Sequence, residues 1–124
     1  MQKLFILVAA VLGAFGVGLG AFGAHALQDT LMRNQRLDTY QTAVLYHFIH
    51  TIALLLIGIL LDKYFNNYLI WAGICMICGV VIFSGSLYVL SITNYAKLGM
   101  ITPFGGLFFI AGWILLLIGS IKSM

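Results

Sequence analysis

Apolar positions run almost unbroken over four stretches, Leu4–Ala26, Tyr40–Leu61, Tyr68–Ile92 and Pro103–Ile121, with no Asp, Glu, Lys or Arg inside any of them. Each comes near the ~20 residues that a helix rising 1.5 Å per residue needs to cross ~30 Å of hydrocarbon. Polar residues gather between the stretches, in LQDTLMRNQRLD, DKYFNN and TNYAKLGMIT. The pattern predicts an all-α fold: an integral membrane four-helix bundle, four transmembrane helices with short loops, in a single transmembrane domain over residues 1–124.

Composition demands the same solvent. The chain is 63% hydrophobic and 7% charged, whereas a soluble domain carries about 25% charged residues to wet its surface. The net charge of +3 comes from six basic residues scattered singly. No basic patch forms, so nucleic acid is not expected as a partner and membrane lipids are. Lys3, the first apolar run and Ala24-His25-Ala26 also have the outline of a secretory signal peptide. That run exceeds the usual 7–15 apolar residues and is studded with glycine, so it is read as a retained span.

Gly18-x-Gly20-x-x-Gly23 matches the spacing of a dinucleotide-binding loop, with Asp38 at a suitable distance to hold a ribose. Such a loop needs a soluble parallel sheet around it, and three further spans leave no room for one. Read as a helix, Ala9, Gly13, Gly16, Gly20, Gly23 and Leu27 recur at intervals of 4, 3, 4, 3 and 4 and share one stripe. Between helices in lipid, close packing replaces the hydrophobic effect and small residues let backbones approach. Gly13, Gly16, Gly20 and Gly23 are therefore expected to form a groove for another helix, and bulky residues at Gly16 or Gly20 to disrupt folding.

Four spans put both termini and the second loop on one side (side A) and the first and third loops on the other (side B). Side A carries Lys3, Lys63 and Lys122 and side B carries Arg33, Arg36 and Lys97, so the positive-inside rule gives a tie. The free amino terminus tips the balance slightly toward cytoplasmic termini. Tyr40, Ala43, His47, His50, Leu54 and Ile57 share one face of the second span, and Ser84, Tyr88 and Ser91 one face of the third. His25, Tyr40, His47, His50, Ser84, Ser86 and Tyr88 thus form a candidate polar cluster in the half nearest side B, and a pocket there is expected to open to that side.

Two readings of the cluster compete. Histidine, serine and tyrosine between spans serve as interhelical hydrogen bonds worth ~0.6 kcal/mol each on average, and titratable groups inside a membrane also mark ligand sites. Metal and catalytic readings fare worse. Cys75-x-x-Cys78 and His47-x-x-His50 suggest a zinc site, but His47 and His50 lie at roughly 10 and 15 Å from side B and Cys78 and Cys75 at roughly 21 and 25 Å. Zinc ligands converge within ~2.3 Å of the ion, so no metal is expected and the cysteines are read as small packing residues. A haem needs two facing histidines, and His25 sits too near the interface for one. Ser84 or Ser86 with His47 lacks an orienting acid, and no span carries the carboxylate of a proton-coupled exporter. No cofactor and no enzymatic activity are expected.

In the connectors, Thr102 before Pro103 reads as an N-cap with proline at the first helical position, the alternative being an irregular segment dipping into side B. LQDTLMRNQRLD is long enough for a short interfacial helix with Leu27, Leu31 and Met32 toward lipid.

The stretches GAFGAHAL, YHFIH, FSGSLY, LGMITPFGG and GW, in that order, resemble a small four-span membrane-protein family of the unknown-function type, which includes bacterial YgdD- and YwdK-like proteins and eukaryotic transmembrane relatives. The resemblance spans Gly18 to Trp113. Ala26 stands where the family commonly has glycine, and Tyr40 where it commonly has tryptophan, which bears on local packing around the cluster. The resemblance implies a four-span protein in the bacterial cytoplasmic membrane, and it implies no activity, substrate or cofactor.

The expected function is therefore a structural or lipid- or partner-binding bundle, with a homo-oligomer or another membrane protein as partner. The alternative is a small-molecule or ion-binding transport protein whose polar cavity is lined by His25, His47, His50, Ser84, Ser86 and Tyr88.

Overall fold

In the computed structural model, which describes residues 1–124, the chain is helical nearly throughout. Four helices are long and apolar enough to span a membrane: α1 (Gln2–Ala26), α3 (Leu37–Lys63), α4 (Asn67–Thr93) and α5 (Ala96–Ser123). A short helix, α2 (Gln28–Arg33), lies in the first side B connector. Neighbours in sequence are neighbours in space: α1 packs on α3, α3 on α4 and α4 on α5. The central pair is 44% buried over its most apolar window, against 17% for α1 and 22% for α5, so the outer helices give most of their surface to lipid.

Two apolar clusters hold the bundle. The larger, toward side A, joins Phe5, Ala9, Leu54, Ile57, Leu69, Met76, Val80 and Phe109 from all four spans. The smaller, at side B, joins Leu31, Tyr40, Ala43, Leu87, Tyr88 and Leu90. Leu31 is fully buried while Met32 is 59% exposed. This corrects the expectation that Leu27, Leu31 and Met32 all face lipid: Met32 does, Leu27 packs half-buried against the smaller cluster, and α2 turns Leu31 inward as a plug over the side B end of the bundle.

The α1–α3 contact is built on glycine. A Cβ at Gly16 would lie 2.9 Å from the Phe48 ring, one at Gly20 3.1 Å from Val44 and one at Gly23 2.6 Å from the Tyr40 hydroxyl. Phe48, Val44 and Tyr40 are spaced by four, so one ridge of α3 sits in the groove. Gly13 is not part of it, since nothing lies within 4 Å of an added Cβ there.

Two stretches have a wider, π-helical turn: Gly18–Gly23 in α1 and Val80–Ser84 in α4. The Ala24 and Gly85 N–H groups reach back five residues, to Leu19 and Val80. Such turns recur at functional or strained places in helices, and here both flank the side B half of α3.

Capping groups tie the ends. Asn66 accepts from the Leu69 N–H at 2.9 Å as N-cap of α4, and its amide donates to the Gly119 carbonyl at 3.2 Å and to the Ser123 hydroxyl, joining α4 to α5 at side A. At side B, Asn34 donates to the carbonyls of Ser91 and Ile92, 3.1 and 3.0 Å away, and Arg36 donates to Asn94 at 3.0 Å. The two Asn34 bonds satisfy carbonyls that the end of α4 leaves without helical partners, and the Arg36 bond holds the Asn94 side chain. Gln35 and Asn94 take the left-handed conformation that closes the two side B turns.

Thr102 is not a cap. α5 enters through a 3₁₀ turn, Ala96–Met100, whose bonds satisfy the first amides, and the Thr102 hydroxyl turns instead to Ser86 at 2.6 Å.

Candidate functional site

Along α3 the buried residues change from Tyr40 and Ala43, through His47, His50 and Thr51, to Ala53, Leu54 and Ile57. Along the antiparallel α4 they change from Met76 and Val80, through Ser84 and Ser86, to Leu87 and Tyr88. The polar side chains thus form a layer between the two apolar clusters, because antiparallel neighbours bring the middle of each helix to the same depth.

His47 joins three helices. Its Nε2 lies 2.7 Å from the Leu12 carbonyl of α1 and its Nδ1 2.9 Å from the Tyr88 hydroxyl of α4. A carbonyl only accepts, so the proton of the neutral ring is on Nε2, and Tyr88 donates to Nδ1. Tyr88 meets Tyr40 edge-on, with ring centroids 5.4 Å apart. The Tyr40 hydroxyl crosses to α1 and donates to the Leu19 carbonyl.

His50 has the opposite tautomer. Its Nδ1 is 2.8 Å from the Tyr46 carbonyl, and its Nε2 accepts from the Trp113 indole N–H of α5 at 3.0 Å. Nδ1 therefore carries the proton. The ring stacks on Phe109 with centroids 3.5 Å apart. His47 thus ties α3 to α1 and α4 while His50 ties α3 to α5, and the structure does not bring them to one cavity.

Ser84 donates to the Ala43 carbonyl at 2.9 Å, tying α4 to α3. Ser86 donates to the Phe83 carbonyl at 2.9 Å and meets Thr102, tying α4 to α5. His25, by contrast, is exposed in the last turn of α1 and lies apart from the layer. Thr51 Oγ1 is the one buried side-chain polar atom without a partner. The expected opening to side B is closed by Leu31, Leu87 and Leu90 of the smaller cluster. No three metal-ligating residues come together, and Cys75 and Cys78 are free thiols.

Trp113, Phe109, Thr102 and the Leu12 carbonyl were not among the site residues expected from sequence. Trp113 carried a signal: its indole N–H lies well inside a span rather than at an interface, and a buried indole N–H seeks an acceptor.

Comparison with known proteins gives a consistent outcome. Residues 19–106 match the family described as "Protein of unknown function (DUF423)". A UPF0382 membrane protein of Staphylococcus haemolyticus is 44% identical over 98% of this chain and 98% of its own length. UPF0382 membrane protein YwdK of Bacillus subtilis is 41% identical over 99% of this chain and 100% of its own. UPF0382 inner membrane protein YgdD of Escherichia coli is 36% identical over 98% and 92%, respectively. No solved structure matches.

Proposed function

The chain belongs to the DUF423 family, whose relatives are UPF0382 membrane proteins, and from that premise we propose that it is a non-catalytic helical scaffold of the bacterial cytoplasmic membrane. Its polar layer holds the helices together. Its outer faces meet lipid and either a second copy or another membrane protein. The inner-membrane name of the Escherichia coli relative supports that location.

The observation that carries this reading is the occupancy of the histidines. All four ring nitrogens of His47 and His50 are engaged by the protein itself. A catalytic or transport histidine needs a nitrogen free to meet a substrate or pass a proton. Here each nitrogen is already bonded to a helix backbone, a tyrosine or a tryptophan.

Native mass spectrometry of the protein extracted in its own lipids, wild type beside His47→Ala, tests this. Both proteins are expected to carry the same bound species. The variant is expected to lose about 1–3 kcal/mol through the orphaned Tyr88 hydroxyl, while His47→Gln, which keeps a donor and an acceptor, retains most of the stability. A discrete small molecule carried by wild type and lost from both variants would overturn the reading in favour of a ligand site.

A further inference from the structure

An open groove of about 490 Å³ runs between α3 and α5 on the outside of the bundle, with Tyr46, Ile49, Gly106, Phe109, Ile110 and Trp113 in its walls. Its back is a stiff set of rings: Tyr46 to Phe83 at 4.6 Å, Phe83 to Phe109 at 5.5 Å, and His50 stacked on Phe109. Such a wall is ordered before anything binds, which lowers the cost of ordering an occupant.

One polar group faces outward. Tyr40 and Tyr88 spend their hydroxyls on the Leu19 carbonyl and on His47, whereas Tyr46 is 38% exposed and leaves its hydroxyl to its surroundings. A hydroxyl inside the bilayer needs an acceptor, because no water is there to supply one. Depth identifies the acceptor. The 27 residues of α3 span roughly 40 Å, about 5 Å beyond a ~30 Å hydrocarbon core at each end. The Tyr46 backbone then lies roughly 8 Å below the side B boundary. Helical side chains lean toward the N-terminus, here side B, so the ring carries the hydroxyl up toward the ester level. Directly below it, the groove continues apolar past Ile49, Ile110 and Trp113.

We propose that this groove seats one phospholipid of the side B leaflet, with an acyl-ester carbonyl accepting from Tyr46 and the acyl chain lying between α3 and α5. Of the other outer grooves, the one along Tyr40, Gln41 and Phe48 has its hydroxyl already spent on the Leu19 carbonyl and its amide only about 1 Å below the side B boundary. Those lined by Ala14, Phe15, Gly18 and Leu19, and by Cys75, Phe104, Leu107, Phe108 and Ala111, offer no hydroxyl or ring donor. The inference deepens the lipid-facing part of the proposed scaffold and rests on it.

The full chain, reconstituted in phosphatidylethanolamine–phosphatidylglycerol vesicles with a phospholipid carrying a diazirine in its acyl chain, is irradiated and its adducts are mapped by mass spectrometry. Adducts are expected to concentrate on Ile49, Ile110 and Trp113. Tyr46→Phe is expected to lower that labelling about fivefold, the equivalent of one hydrogen bond. Gly106→Leu fills the groove from a position where an added Cβ meets only Phe83 at 3.9 Å, and it should reduce labelling to the level of the other faces. Gly18→Leu, where nothing lies within 4 Å, should leave it unchanged. Uniform labelling of all outer faces, labelling indifferent to Tyr46→Phe, or protection by an added isoprenoid quinone but not by unlabelled phospholipid would each overturn the seat. The native mass spectrum of the His47 variants is independent of this labelling, so the two readings fail separately.

Discussion

Gly105→Ala is expected to destabilise the bundle by about 3 kcal/mol or more, although it adds a single methyl group. An added Cβ at Gly105 would overlap the backbone nitrogen and Cα of Phe83. At Gly79 and Gly73 the atoms in the way are the rings of Phe109 and Phe5, which can turn. A backbone inside a helix cannot turn, so α4 and α5 must separate along a contact buried in lipid. Overpacking a core usually costs about 1–3 kcal/mol. With no rotamer available to relieve it, this substitution belongs at the top of that range or above. That is a large fraction of the roughly 5–15 kcal/mol that holds a folded chain together. Gly106→Ala, one residue on, is expected to change stability by no more than about 0.5 kcal/mol. Size-exclusion profiles and thermal midpoints of the two variants in mild detergent make the comparison. A wild-type profile for Gly105→Ala would show that α4 and α5 do not approach this closely.

Leu31→Ala carries the second largest expected effect. Leu31 is fully buried among Tyr40, Ala43, Leu87, Tyr88 and Leu90, although it belongs to a six-residue helix in a connector. Truncating a buried leucine costs about 2–5 kcal/mol, depending on how far the site collapses. Here α2 is held by few other contacts, chiefly Asn34 on the end of α4 and Arg36 on Asn94, so it can settle partway into the space and the cost falls toward the lower end of that range. Met32→Ala is the control at an exposed neighbour. Thermal midpoints of both variants check this, and equal midpoints would mean that α2 does not close the side B end.

The spans were legible because a bilayer imposes a length and an exclusion of charge that few other folds satisfy. Helical spacing also put Gly16, Gly20 and Gly23 on one stripe, and Ser84 and Tyr88 on one face. What spacing could not supply was the partner. His47 and His50 are three residues apart and share a broad face, but about 60° of rotation sends one toward α1 and α4 and the other toward Trp113 of α5. Gly13 fitted the stripe by count, but no side chain of α3 reaches it. The π turns at Gly18–Gly23 and Val80–Ser84 leave no mark on a regular 3.6-residue period.

Connector residues were misread for a related reason. Leu31 lies in a segment long enough for an interfacial helix, and nothing local says that such a helix folds back over the bundle. Thr102 had the residue type and the following proline of an N-cap. The 3₁₀ turn before it already serves the amides, which frees its hydroxyl for Ser86. In both cases tertiary packing decided between options that local chemistry leaves equal.

The central claim is that both buried histidines are spent on joining helices. It is tested most directly by solid-state NMR of the protein in lipid bilayers with ¹⁵N-labelled histidine. The account predicts two rings of opposite tautomer, with the proton on Nε2 for His47 and on Nδ1 for His50, each nitrogen coupled to its protein partner. Two rings of the same tautomer, or a nitrogen coupled to a molecule other than the chain, would contradict it.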